Sequence, residues 1–83
     1  MLKIYGSKLC PDCVECCQQL EAAKVPFEYC DFAESLNVLK EFLKLRDENR
    51  IFDDVREAGK IGIPCIIRDD GTLTLRWDEF IVK

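Results

Sequence analysis

Two cysteines separated by two residues, Cys10-Pro11-Asp12-Cys13, stand between a short apolar run and a stretch with helical periodicity. Such a pair at a strand-to-helix junction, inside a βαβ pattern, reads as a redox-active dithiol. Pro11 suits the first helical position, because its missing N–H would find no intrahelical acceptor there. Cys10 is then the N-cap, facing the free amides and the positive end of the helix dipole, which favour a thiolate over a thiol. Cys13, one turn further on, sits deeper, stays protonated and is close enough to resolve a mixed disulfide. The alternative for the same residues is a helix cap and a core cysteine without chemistry.

The 83-residue chain contains no histidine. Ser–His and Cys–His catalysis and histidine metal ligands are thereby excluded, which leaves thiols, carboxylates and lysines. Twelve Lys and Arg against sixteen Asp and Glu give a net charge of −4. No basic surface is available for nucleic-acid phosphate or an anionic membrane, so neither partner is expected. The 48% hydrophobic content suits one small core, and residues 1–83 are expected to form a single, monomeric domain. Six cysteines also admit a secreted disulfide scaffold. Against that, Met1-Leu2-Lys3-Ile4 opens no signal peptide, no apolar run has the length of a membrane span, and four cysteines crowd into one helix. A cytoplasmic protein with mostly reduced thiols is expected.

Periodicity places the elements that must hold the dithiol. Leu2 to Tyr5 is a short apolar strand, Gly6-Ser7-Lys8-Leu9 a loop, and Pro11 to Lys24 a helix with Cys13, Cys16, Cys17 and Leu20 along one stripe. On this pattern Cys16 and Cys17 are small core hydrophobes. Pro26 stops the helix, and Phe27 to Phe32 forms a second strand, completing a βαβ unit with parallel strands. Ser35 caps a second helix carrying Leu36, Leu39, Phe42, Leu43 and Arg46. The pattern weakens at Asp47-Glu48-Asn49 and resumes over Ile51 to Ala58, with Phe52 and Val55 inward and Gly59 as the stop. Lys40, Glu41, Lys44, Asp47 and Glu48 make a solvated face. Cys65 to Arg68 and Thr72 to Leu75 read as a hairpin across Asp69-Asp70-Gly71, and Trp77 to Val82 as a closing helical turn. Pro64 then begins the third strand, where a proline is tolerated.

With the strand, the Cys10-Pro11-Asp12-Cys13 dithiol, the helix, and Gly62-Ile63-Pro64 beyond them, the chain resembles the glutaredoxin branch of the thioredoxin-like redox proteins over essentially its whole length. The resemblance implies an α/β, thioredoxin-like fold: a four-stranded mixed sheet, βαβ then hairpin, flanked by helices. It implies a cis Ile63–Pro64 bond packed against the dithiol, with the Ile63 backbone hydrogen-bonding the substrate's extended chain. Cys10 is by the same likeness the attacking sulfur of a thiol–disulfide oxidoreductase and Cys13 the resolving one. The substrate is met by Lys8, Pro11, Asp12, Ile63, Pro64 and Asp78, and a thiol reductant or a reductase recycles the protein.

Three positions depart from that pattern. Asp12 stands where glutaredoxins carry an aromatic residue, and its charge either opposes thiolate formation at Cys10 or complements the helix dipole. Ser7 stands where a basic residue contacts a glutathione carboxylate, with Lys8 one position late. Leu75-Arg76 replaces the Gly-Gly pair that receives the γ-glutamyl end of glutathione, with Asp78 in place of the acid. Glycine permits close approach of backbone to a ligand, and Leu-Arg does not. Glutathione is thus a possible reductant, no bound cofactor is expected, and the expected substrate is a protein disulfide or another low-molecular-weight thiol. Cys65 either supplies a third redox sulfur or belongs to the core, and Cys30 is core.

Two other classes compete. Cys10, Cys13 and Cys16 match three ligands of a ferredoxin-type run, but Leu20 occupies the fourth place and no second Cys-x-x-Cys pair offers a zinc site. A non-catalytic interaction domain on the same fold would tolerate loss of either dithiol cysteine, and both are present.

Overall fold

β1 (Leu2–Gly6) alternates its side chains between two apolar layers, Leu2 and Ile4 in one and Tyr5 in the other. The structure, a computed structural model, describes residues 1–81. β1 pairs in parallel with β2 (Phe27–Asp31) and antiparallel with β3 (Cys65–Ile67), which pairs in turn with β4 (Leu73–Thr74). The strand order is β2-β1-β3-β4, so the architecture is α/β around a four-stranded mixed sheet, a βαβ unit followed by a hairpin.

On the first face α1 (Pro11–Ala22) lays Cys16 and Leu20 against Leu2, Ile4 and Ile66, and a closing 3-10 turn, Trp77–Phe80, covers the same layer. On the second face α2 (Leu36–Glu48), a 3-10 turn (Arg50–Phe52) and α3 (Asp53–Glu57) bury Phe42 and Phe52 with Tyr5 and Cys65. The Phe42 ring stacks on Phe32 at 5.5 Å and meets Phe52 edge-on at 5.9 Å, both favoured arrangements of ring quadrupoles. Complete burial of each phenylalanine contributes roughly 2–3 kcal/mol relative to exposure. No helix of the described residues is long and apolar enough to cross a membrane.

The end of α1, the rotation of α2, the end of β2 and the lengths of the hairpin strands differ from expectation. α1 stops at Ala22 rather than at Lys24, and the stop is not made by Pro26. Lys24 takes a left-handed conformation (φ 59°), its amide donates to the Glu21 carbonyl (3.0 Å) and the Val25 amide to the Leu20 carbonyl (2.9 Å). This paired closure satisfies the last carbonyls of the helix, and Val25 seals it by packing on the Leu20 layer. α2 starts as expected, with Ser35 Oγ accepting from the Val38 amide at 3.4 Å. Its inward stripe is rotated: Val38, Phe42 and Leu45 face the core, whereas Leu36 is 73% and Leu43 43% exposed. The large Phe42 ring sets the rotation, and its neighbours three and four residues away follow it inward. β2 ends at Asp31, one residue early. The hairpin strands are short because the turn consumes Arg68 to Thr72: the Gly71 amide donates to the Arg68 carbonyl (2.9 Å), the Arg68 amide to the Thr72 carbonyl (2.7 Å), and Gly71 supplies the left-handed residue (φ 88°). Val82, placed by the sequence in the closing turn, lies outside the described residues.

A lysine in the left-handed region carries a strain of about 1 kcal/mol that glycine does not. Lys24→Gly is therefore expected to stabilise the fold by up to about 1 kcal/mol, read as a raised urea midpoint. An unchanged or lowered midpoint contradicts the helix closure described above.

Candidate active site

The turn between the end of β1 and the start of α1 fixes where the dithiol stands. Ser7 Oγ accepts from the Leu9 amide (3.1 Å), and the Ser7 carbonyl accepts from the Cys10 amide (3.0 Å). Buried Asp31, closing β2, accepts from the amides of Lys8 (3.1 Å) and Ala33 (2.9 Å), tying this turn to the adjacent strand. Pro11 opens the helix and Cys10 is the N-cap in extended conformation (φ −95°, ψ 119°) with no capping bond from its side chain. Its sulfur is thus not engaged in holding the helix start.

Cys13, one turn on, is fully buried (0% exposed). Burial pushes its thiol up to about 12. Its S–H donates to the Cys10 side chain, which raises it further, while the Ser7 backbone amide donates to its sulfur and pulls the other way. Both sulfurs are free, Cys10 partly exposed and Cys13 enclosed behind it. The pair is therefore asymmetric: one sulfur meets solvent and the other holds its proton.

Cys10 opens onto a groove of about 870 Å³ whose walls include Leu9, Asp12, Phe32, Ile61, Ile63 and Pro64. The Ile63–Pro64 bond is cis, the isomer the resemblance implies. Among the described residues neither backbone group of Ile63 has a hydrogen-bond partner. The loop is held from below. Arg46 donates through Nε to the Ile61 carbonyl (2.9 Å) and through Nη2 to the Lys60 carbonyl (2.7 Å), and Arg56 donates to the Arg46 carbonyl. Gly62 is left-handed (φ 93°), and a Cβ there would stand 2.8 Å from the Phe52 ring, so glycine alone fits.

Of the residues singled out by sequence, Cys10, Asp12, Ile63 and Pro64 come together in the groove, with Cys13 behind Cys10 and Pro11 at the helix start. Lys8 and Asp78 do not line it: Lys8 pairs with Glu34 (3.2 Å) and Asp78 with Arg76 (3.2 Å). Cys16 and Cys65 are fully buried, each pushed up to about 12 by its burial, whereas Cys17 and Cys30 are only half-buried. Among the described residues no three Cys, Asp or Glu side chains converge to hold a metal ion. Asp31, Arg46 and Tyr29 have site roles that sequence reasoning missed. An acid at the end of an expected strand, just before a turn, was a usable signal for Asp31. Arg46 sat at an apolar spacing that concealed its reach, and the Tyr29 hydroxyl, which donates to Cys13, carries no local signature.

No family model and no solved structure matches the chain. It is similar to an uncharacterized protein of Haemophilus influenzae, 29% identical over 72 residues that cover 87% of this chain and 84% of the relative.

The buried thiols make stability depend on alkaline pH. Cys13, Cys16 and Cys65 titrate near 12 when folded against an ordinary value of 9.0. Between those limits the unfolded chain loses protons that the folded chain keeps, so stability is full below about pH 9 and is lost as pH rises toward about 12. Each thiol contributes a slope of about 1 kcal/mol per pH unit in that window. Urea unfolding under reducing conditions should show this decline, shallower in Cys65→Ala; a stability flat from about pH 8 to about pH 11 contradicts it.

Proposed function

We propose that this chain is a thiol–disulfide oxidoreductase, with a thioredoxin-like fold of the glutaredoxin type. One observation carries the proposal: a partly exposed, uncommitted Cys10 at a helix start accepts the hydrogen bond of a buried Cys13 thiol and faces the Ile63–Pro64 loop across one groove. In the mechanism, the Cys10 thiolate attacks one sulfur of a substrate disulfide, forming a mixed disulfide and expelling the other sulfur as a thiolate that takes up a proton. Cys13 then loses its proton and attacks Cys10 Sγ; the bond between Cys10 and the substrate breaks, the electron pair leaves with the substrate sulfur, and the Cys10–Cys13 disulfide remains. The N–H and C=O of Ile63, without hydrogen-bond partners among the described residues, provide a donor and an acceptor for an extended peptide laid along the groove.

The groove walls favour a protein disulfide over glutathione. Leu9 (86% exposed) and Ile61 (54% exposed) flank Cys10's groove with apolar surface, and Asp12 and Lys60 are its charged wall residues. An apolar side chain next to the substrate disulfide would bury against this surface, whereas glutathione offers two carboxylates and an ammonium that find few partners here. The protein acts as an electron carrier between such disulfides and a thiol reductant or a reductase.

Reduction of insulin, coupled in parallel to glutathione with its reductase and to a thioredoxin reductase, tests the proposal. Cys10→Ser should abolish turnover. Cys13→Ser should accumulate a mixed disulfide, visible by mass spectrometry. Full activity in Cys10→Ser ends the proposal, and the reductant that sustains turnover identifies the recycling partner.

A further inference from the structure

A second pocket, of about 260 Å³, shares no wall residue with the substrate groove and is lined by Lys8, Cys13, Cys17, Glu21, Phe27 and Tyr29 among others. Cys13 is one of its lining residues although no part of that side chain is exposed. Tyr29 stands on β2 beside Ile4 of β1, on the sheet face that carries α1. Its hydroxyl reaches over the end of β1 because Gly6 has no side chain: a Cβ at Gly6 would lie 2.9 Å from Cys13 Sγ and 2.9 Å from Tyr29 Oη at once. The two atoms share the space that the glycine leaves, and the Tyr29 hydroxyl donates to Cys13 Sγ. Burial holds the phenol well above its ordinary range, so it keeps its proton at neutral pH.

This arrangement bears on a step the exchange mechanism leaves unsupported. In the reduced protein the Cys13 proton is shared with Cys10. Once Cys10 is bonded to a substrate sulfur, Cys13 must become a thiolate inside the core, where an unsolvated anion is strongly disfavoured. We propose that Tyr29 is the third functional group of the dithiol: its hydroxyl and the Ser7 amide form a two-donor cradle that carries the negative charge of Cys13 while it displaces the substrate. The Cys13 proton leaves to water in the smaller pocket, Cys13 Sγ bonds to Cys10 Sγ, the bond from Cys10 to the substrate sulfur breaks, and the departing thiolate takes a proton from water. No further oxidant or reductant enters. The other ionisable groups around the two atoms are Cys10 and Cys16 on the Cys13 side, Cys17 and Asp31 on the Tyr29 side, and Lys8 and Glu21 in the pocket wall. Tyr29 and the Ser7 amide are the donors the structure assigns to the sulfur itself.

The inference rests on the exchange reading, and one experiment separates the two. Reduced protein is mixed in stopped flow with the aromatic disulfide dithionitrobenzoate, and the Cys10→Ser protein supplies the background from the remaining thiols. The first coloured thiolate released reports capture by Cys10 and the second reports resolution by Cys13. Tyr29→Phe keeps the ring and removes only the hydroxyl. It should leave capture within about twofold and slow resolution about tenfold or more, the effect of losing a hydrogen bond to a charged group. The pH profile of resolution should shift toward alkaline pH, which a merely structural change would not produce. Gly6→Ala, which forces a methyl between the same two atoms, should slow resolution in the same selective way. Normal capture with unchanged resolution in Tyr29→Phe overturns the role of Tyr29, as does equal slowing of both phases. Absence of capture in the unaltered protein overturns the exchange reading itself.

Discussion

The placement of one sulfur atom, Cys13 Sγ, constrains the rest of this molecule. It sits where the end of β1, the first turn of α1 and the face of β2 meet, in a space with no room for a side chain at Gly6. Burying a thiol there is cheap while it keeps its proton and demanding when it does not. The neighbouring features follow from that pressure. Ser7 turns its amide toward the sulfur while its carbonyl and hydroxyl close the turn. Asp31, itself buried, accepts from the Lys8 amide of the tight turn and from the Ala33 amide just after its own strand. Cys10 is thereby held at the helix start with its own side chain uncommitted.

The two walls of the groove hang from opposite faces of the sheet. The dithiol wall belongs to α1 and its layer, whereas the Gly62-Ile63-Pro64 wall rests on Phe52 and is tied to α2 through Arg46. They meet through the ladder, in which Tyr5 of β1 pairs with Cys65 of β3, immediately after Pro64. The two walls are therefore joined by a central strand pairing, the kind of scaffold on which alignment of groups across a groove can rely. Cys65 contributes here as packing: it is buried and its thiol is pushed up to about 12, which leaves it inert beside the groove it helps to place.

Much of this was legible in the residues. The Cys10-to-Cys13 spacing, Pro11 at the helix start, Ser35 as a cap and Gly71 in the hairpin each act through one or two neighbours, so local pattern suffices to place them. The rotation of α2 was not legible, because Leu36, Leu39 and Leu43 fit a helical stripe as well as Val38, Phe42 and Leu45 do. Only the fit of the Phe42 ring against Phe32 and Phe52 decides between them. Lys24 hid the end of α1, since a left-handed lysine has no sequence signature and Pro26 offered a more obvious stop. Arg46 and Tyr29 were hidden for a common reason. Each acts on a residue distant in sequence, and neither stands in a motif.

The same long-range contacts bear on what the groove selects. The protein carries net charge −4, and the charged residues of the groove wall are Asp12 and Lys60. A small anionic disulfide meets one cation, Lys60, and one like charge, Asp12, in this wall and approaches a protein of net negative charge. Under the proposed function a peptide would offer an extended backbone to Ile63 and an apolar side chain to Leu9 and Ile61, interactions that salt and net charge hardly alter. Lys8 and Asp78, the two charged residues with the best claim to hold glutathione, are each engaged in an ion pair away from the groove. The walls of the groove are thus chiefly apolar side chains, with Asp12 and Lys60 as their charged members.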